Sequence, residues 1–274
     1  MLTGRKSLRE LIEKGELSLG STIRVKRDSI KEILSKKEDN GYKDQLFSNK
    51  EIDFFDWIYV GSEYDHAEFI LKMDLTNSKY FDLFLKGARG YVNNSTELNK
   101  IAQIAKTHNI QVRSTSTFDI NNIANITVDY DGKVHLKSNP YENLNEISEA
   151  KAREEHIFNG KEYSPQSFLK NKYERMGKRL LVTNYSYTRR GLSQVPETTK
   201  NIIFLDDVFY WLDMQTQYVY NEAVYYCVLA VIDGIANIGG DLFHTNGSEY
   251  TGKLAVRPFA KIREDLTLED IGAI

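Results

Sequence analysis

Several things are scarce in this chain of 274 residues, and each shortage excludes something. Cys227 is the only cysteine, so no intramolecular disulfide and no multi-cysteine metal site can form. Four prolines and a mean hydropathy of -0.48 exclude low-complexity and membrane classes. No window approaches the roughly 18 consecutive apolar residues of a membrane span. Charge of one sign is also missing. With 36 Lys and Arg against 39 Asp and Glu, the net charge of -3 creates no field to recruit nucleic acid or an anionic membrane. The opening Met1-Leu2-Thr3-Gly4-Arg5-Lys6 lacks an apolar signal core, so the expectation is a protein made and folded in a bacterial cytoplasm without export.

Catalytic patterns are equally scarce. Gly191-Leu192-Ser193-Gln194-Val195 lacks the closing glycine of a nucleophile elbow, and no Gly-x-x-x-x-Gly-Lys or Gly-x-Gly-x-x-Gly loop occurs. His66, His108, His135, His156 and His244 are scattered, with no two at the i, i+4 spacing of a metal-binding helix. Asp129-Tyr130-Asp131-Gly132 resembles the start of a calcium loop, but the later bidentate glutamate is absent and a turn explains it better. The basic run of Lys170, Lys172, Arg175, Lys178 and Arg179 holds one aromatic, Tyr173, too little for a nucleic-acid face. The expectation is therefore no enzyme, no cofactor, no metal, no nucleic acid and no membrane insertion.

What the chain does have is 41% hydrophobic residues, 27% charged residues and 12% aromatics, including 17 Tyr. It is long enough for a sizeable core. Tyrosine, apolar along the ring and polar at its tip, suits strands and interfaces. Ser7 and Glu10 have capping-box spacing ahead of the apolar Leu8, Leu11 and Ile12, and Gly15 ends that helix. A second box, Ser29 with Glu32, and a third helix starting at Asn94 follow the same logic. Strands are expected over residues 18–25, 54–60 and 67–75, the last two joined by a turn at 61–65. Asp131-Gly132 between alternating segments at 126–136 signals a hairpin. Further strands are expected at 180–188, 202–212, 223–232 and 253–262. The continuously apolar 224–232 suits a strand covered on both faces. Residues from about 127 to 178 read as an insertion, acidic over 142–155 and basic over 170–179, with proteolysis expected to cut first between about 137 and 178.

Four stretches in order resemble a known family. They are Ser7-Leu8-Arg9-Glu10-Leu11 with Lys14-Gly15-Glu16-Leu17-Ser18-Leu19-Gly20-Ser21; Gly90-Tyr91-Val92-Asn93-Asn94; Arg113-Ser114 with the short acidic turn to Ile120; and Tyr210-Trp211-Leu212 with the closing Val256-Arg257-Pro258. The family is a group of phage- and prophage-associated C-type-lectin-like domains, distantly related to formylglycine-generating enzymes. The resemblance implies an α+β, C-type-lectin-like fold of mixed, mostly antiparallel sheets with a few short helices, as one domain over 1–274. It also implies that the first and last segments share one sheet system. Trp211 would be core, Arg113 a buried arginine tying loops together, and Pro258 would lie on an edge strand. Where the family often continues with alanine-serine-arginine after its tryptophan strand, this chain has Asp213-Met214-Gln215. Neither the calcium-dependent sugar motif of true lectins nor the cysteine pair of the enzymes is present.

The function implied is that of a bacteriophage virion protein, a capsid decoration, head-fibre or tail-associated component acting in assembly or host attachment. Its partners would be other virion proteins, a host surface glycan or protein, and further copies of itself. A bacterial surface adhesin with the same fold is the alternative. In such folds the partner surface is built on late loops, here about 213–252. Tyr218, Tyr220, Asn221, Asn237, His244, Asn246 and Tyr250 are the candidate contact residues.

Overall fold

The computed structural model describes residues 6–26, 54–72, 102, 105–106, 109–144, 180–205, 210–220, 223–232, 234–241 and 255–273. The helices expected after Ser29 and Asn94, and most of the insertion, lie outside them. Of the Asn94 helix, Ala102, Ala105 and Lys106 are described and are helical. The class is α+β, with mostly antiparallel sheets and short helices.

The chain divides into two compact units: Met1–Gly87, Asn93–Ser114 and Arg257–Ile274 form the first, Ala88–Val92 and Thr115–Val256 the second. In the first, helix α1 (Leu8–Glu13) carries the expected capping box, Ser7 accepting from the Glu10 N–H while Glu10 accepts from the Ser7 N–H. Residues 18–21 close a turn, with Gly20 at φ +88°, so the next strand, β1 (Thr22–Lys26), starts later than its alternation suggested. β2 (Phe54–Glu63) and β3 (His66–Leu71) form a hairpin turning at Tyr64 and Asp65. β2 outlasts its apolar run because Gly61 sits in a bulge and lets pairing continue to Glu63.

β4 (Gln111–Ser114) and β12 (Pro258–Arg263) complete an antiparallel sheet in the order β1-β2-β3-β12-β4. Opening and closing segments therefore share a sheet. α1 meets the residues after β12 directly: the Leu8 N–H donates to the Leu266 carbonyl and the Arg9 N–H to the Glu264 carbonyl, both at 2.9 Å. Trp57, Phe69 and Phe259 are at most 2% exposed. Burying side chains of this size contributes about 1.5–3 kcal/mol each, before chain entropy is charged against it.

Two expectations fail in this unit. Pro258 is not on an edge: β12 lies between β3 and β4. Its missing N–H is tolerated because it is the first residue of the strand, and pairing with β3 starts at Phe259. Arg113 is only half-buried, its guanidinium 4.7 Å from the Phe259 ring centroid and donating to the Ser114 carbonyl. Among the described residues, the arginine that is wholly buried is Arg257, whose Nε donates to the Leu71 carbonyl at 3.0 Å.

In the second unit the short acidic turn is instead a helix, α2 (Thr117–Ala124). Ser116 and Asp119 form a full capping box, and Asn125 ends it in the left-handed region at φ 56°. β5 (Ile126–Val128) and β6 (Val134–Leu136) make the hairpin expected at Asp131-Gly132, with Gly132 at φ +78°. β7 (Leu180–Thr188), β8 (Tyr210–Tyr220), β9 (Ala223–Ile232), β10 (Ile235–Asp241) and β11 (Ala255–Val256) form a sheet ordered β11-β8-β9-β10-β7. Only the β11–β8 contact is parallel. β9 lies inside this sheet, and its residues 228–232 are all buried, as a strand covered on both faces requires.

The strand expected over 202–212 is two things. Residues up to Ile203 close helix α3 (Glu197–Ile203), and β8 begins only at Tyr210. Pro196 at the N-cap, φ -55°, starts the helix, and the buried Thr199, Ile202 and Ile203 follow helical spacing. Likewise the strand expected over 253–262 breaks at Arg257 into β11 and β12, which belong to different sheets.

Candidate interaction surface

Of the late-chain contact residues, Tyr218, Tyr220 and Asn237 lie in described strands. Tyr218 and Tyr220 lie at the far end of β8, where the register sets Tyr218 opposite Tyr225 and Tyr220 opposite Ala223 on β9. This end extends past the residues that the flanking strands reach. β10 pairs with β9 as far as Cys227, and β11 meets β8 only at Tyr210 and Trp211. Among the described residues it is thus a two-stranded ribbon. Asn221, His244, Asn246 and Tyr250 lie outside the described residues.

Asn237 is a correction. It is fully buried, so it offers nothing to a partner. Asn237 stands in the irregularity between Ala236 and Ile238 of β10, at φ 61°, which asparagine tolerates better than most residues. Its carbonyl accepts from Ser186 Oγ at 2.9 Å, and its Nδ2 donates to the Tyr185 carbonyl. Its work is to hold β10 against β7. Trp211, by contrast, is core as expected, 1% exposed.

Among the described residues the large hydrophobic side chains most exposed to solvent, Tyr64, Phe118, Tyr130 and Tyr141, were not on the expected surface. Tyr130 and Tyr141 are exposed essentially in full, at 104% and 95%. Both stand on turns fixed from below. Around Tyr130 the Asp129 N–H donates to the Lys133 carbonyl (2.9 Å), the Gly132 N–H to the Asp129 carbonyl (3.1 Å), and the Lys133 N–H to Asp129 Oδ1 (2.8 Å). Asp129 is therefore the acceptor that closes a turn. The Lys133 N–H, helped by His135 beside it, holds the Asp129 carboxyl below its usual range against a smaller opposing effect of desolvation.

Around Tyr141, the Asn139 N–H donates to the Leu136 carbonyl and the Leu144 N–H to the Val134 carbonyl, at 3.0 and 2.7 Å. Glu142 Oε2 accepts from Gln194 Nε2 at 2.8 Å and from Asn139 Nδ2 at 3.3 Å. The two turns are joined through His135 on β6, whose ring lies between Asp129 Oδ2 and the Glu142 carbonyl. A sequence signal existed for Tyr130. A residue just before Asp-Gly in a hairpin turn must project, because the turn leaves it no core to face. Tyr141 follows Pro140 in a second turn and had no comparable periodic pattern around it.

Large rings on a tightly hydrogen-bonded base offer contact area at little entropic cost, which is what protein recognition tips use. Among the described residues, no three His, Cys, Asp or Glu side chains come together as a metal-binding set, and no helix is long and apolar enough to cross a membrane. Compared with family models, curated proteins and solved structures, the chain matches none.

Proposed function

We propose that this chain is a non-catalytic binding and assembly module with a C-type-lectin-like fold, working as a structural protein of a bacteriophage particle. In this reading it decorates the capsid or belongs to a head fibre or tail, and serves assembly or host attachment. The observation that carries it is that two of the fully exposed tyrosines, Tyr130 and Tyr141, stand on turns closed by hydrogen bonds. Solvent-facing aromatic rings on a stiff base repay their exposure when a partner covers them. The order of the resembling stretches from Ser7 to Pro258 supports the family, as does the pairing of opening and closing segments in one sheet.

The test has two arms. Particles from a host that makes this chain are purified by density gradient and analysed by mass spectrometry. Stoichiometric chain in intact particles is the expected result, while recovery only from the host cell envelope favours the adhesin reading. In the second arm, particles are assembled with chain carrying Tyr130→Ser and Tyr141→Ser. Incorporation or host adsorption falls, with an unchanged melting temperature. If both are unaffected, the contact surface is elsewhere, and the Tyr218–Tyr220 end of β8 is next.

A further inference from the structure

The turn at residues 139–142 carries more than an exposed ring. The Glu142 N–H donates to the Asn139 carbonyl at 3.3 Å, which puts Pro140 and Tyr141 at the corner. Three planar polar side chains meet at this turn. Glu142 Oε2 accepts from Gln194 Nε2 at 2.8 Å and from Asn139 Nδ2 at 3.3 Å. A carboxylate oxygen accepts, so both amides turn a nitrogen to it. Because both contacts fall on Oε2, Glu142 Oε1, Asn139 Oδ1 and Gln194 Oε1 make no hydrogen bond among the described residues. Gly191 lets the segment carrying Gln194 come this close. A Cβ there would stand 3.0 Å from the Leu144 carbonyl oxygen and 3.3 Å from that of Thr188. Tyr141, 95% exposed, is the chain neighbour of Glu142, with about 3.8 Å between their Cα atoms.

We propose that Tyr141, with Asn139, Glu142 and Gln194, is a subsite for a neutral sugar ring. The inference rests on the reading of this chain as a binding module and adds the class of its ligand. A pyranose has a face of C–H bonds, which packs on an aromatic ring, and a rim of hydroxyls, each both donor and acceptor. The three open oxygens accept from such hydroxyls, and the second N–H of each amide donates to them. Planar groups offer two atoms at fixed spacing, which suits hydroxyls on neighbouring carbons. Local charge favours a neutral ligand over an ionic one: Asp129, Asp131 and Glu142 are balanced by Lys133, Lys137 and Arg190. One ring and a few hydrogen bonds hold a single sugar weakly, with a dissociation constant on the order of 1 mM. Several copies displayed together bind a polysaccharide far more tightly.

The purified full chain is titrated with glucose, galactose, N-acetylglucosamine and the N-acetylglucosamine trimer. Binding is read by saturation-transfer NMR, in which irradiated tyrosine ring protons pass saturation to sugar C–H protons packed on them. The expected result is transfer to at least one of these sugars, undiminished by a metal chelator. Tyr141→Ser abolishes it, whereas Tyr141→Phe, which keeps the ring, retains it. Asn139→Ala removes one polar arm and weakens binding about tenfold. Tyr64→Ser, in the other unit, leaves binding unchanged. The proposal is overturned if no sugar shows transfer at about 10 mM, if Tyr141→Ser or Asn139→Ala binds as the wild type does, or if the chelator abolishes binding. It is also overturned if an arginine-rich peptide binds through Tyr141 and none of the sugars does. Chain that binds sugar but is absent from particles sinks the virion reading and leaves the subsite standing. Chain built into particles that binds none of the sugars does the reverse.

Discussion

Tyr187 is wholly buried on β7, edge-on to Phe204 with ring centroids 6.3 Å apart, and its hydroxyl finds no hydrogen-bond partner among the described residues. Burial pushes this phenol well above its ordinary range. A buried hydroxyl that donates to nothing costs more than it returns. Tyr187→Phe is therefore expected to leave stability unchanged or raise it by up to about 1 kcal/mol, measured by denaturant melts. A clear loss would reveal a partner for the hydroxyl. Arg257 is the opposite case, since its guanidinium supplies a donor to the Leu71 carbonyl inside the core. Arg257→Ala removes both that bond and the buried stem, and is expected to cost about 2–4 kcal/mol in the same melts. Asn237 illustrates why residue type alone misleads. Asparagine is as well suited to a left-handed backbone position in a buried strand irregularity as to a binding loop, and the sequence around it does not tell the two apart.

Among the elements, the short helices and turns carry acid-sensitive caps. Glu10 is held below the usual carboxylate range mainly by the Ser7 N–H, and Asp270 by the Thr267 N–H. A carboxyl depressed in the folded state stabilises above its unfolded value and loses that contribution as pH falls through its folded one. Melting temperature is expected to hold from pH 7 to about 5 and to drop below about 4, with Glu10→Gln showing a smaller acid-dependent drop than wild type. If the acid drop is identical in the variant, the Ser7–Glu10 box is not a contributor. These caps were legible because Ser-x-x-Glu, Asp-Gly and alternation are local chemistry, satisfied within a few residues. α1, the β2–β3 pair and the β5–β6 hairpin all followed from such patterns. What was not legible depended on distant partners. Ile202 and Ile203 are apolar and β-branched, and only the docking of α3 against α2 decides for helix over strand. Residues 253–262 look like one strand because nothing local to Arg257 announces that its two sides join different sheets. The candidate site divides the same way: the turn at Tyr130 is written in Asp-Gly, whereas its tie to the Tyr141 turn depends on His135 reaching both.

On the scale of the whole molecule, the first unit is assembled from segments that flank the second in sequence, with β12 inserted between β3 and β4. Removing residues 257–274 should therefore do more than shorten the chain. It takes out an interior strand and leaves β1-β2-β3 separated from β4. The expected outcome is loss of amide protection across β2 and β3 by hydrogen exchange, with β8 to β10 still protected. Retained protection in β2 and β3 would mean the three-stranded remnant is stable alone. This arrangement also orders biosynthesis. A ribosome releases β1, β2 and β3 early, yet the strand that completes their sheet is translated only after all of residues 115–256. The second unit can fold while the first is still waiting, and during that wait the inner edge of β3 stands open to any neighbouring nascent chain. A chaperone, or fast translation of the intervening segment, would thus raise the yield of folded protein more than any change within β3 itself.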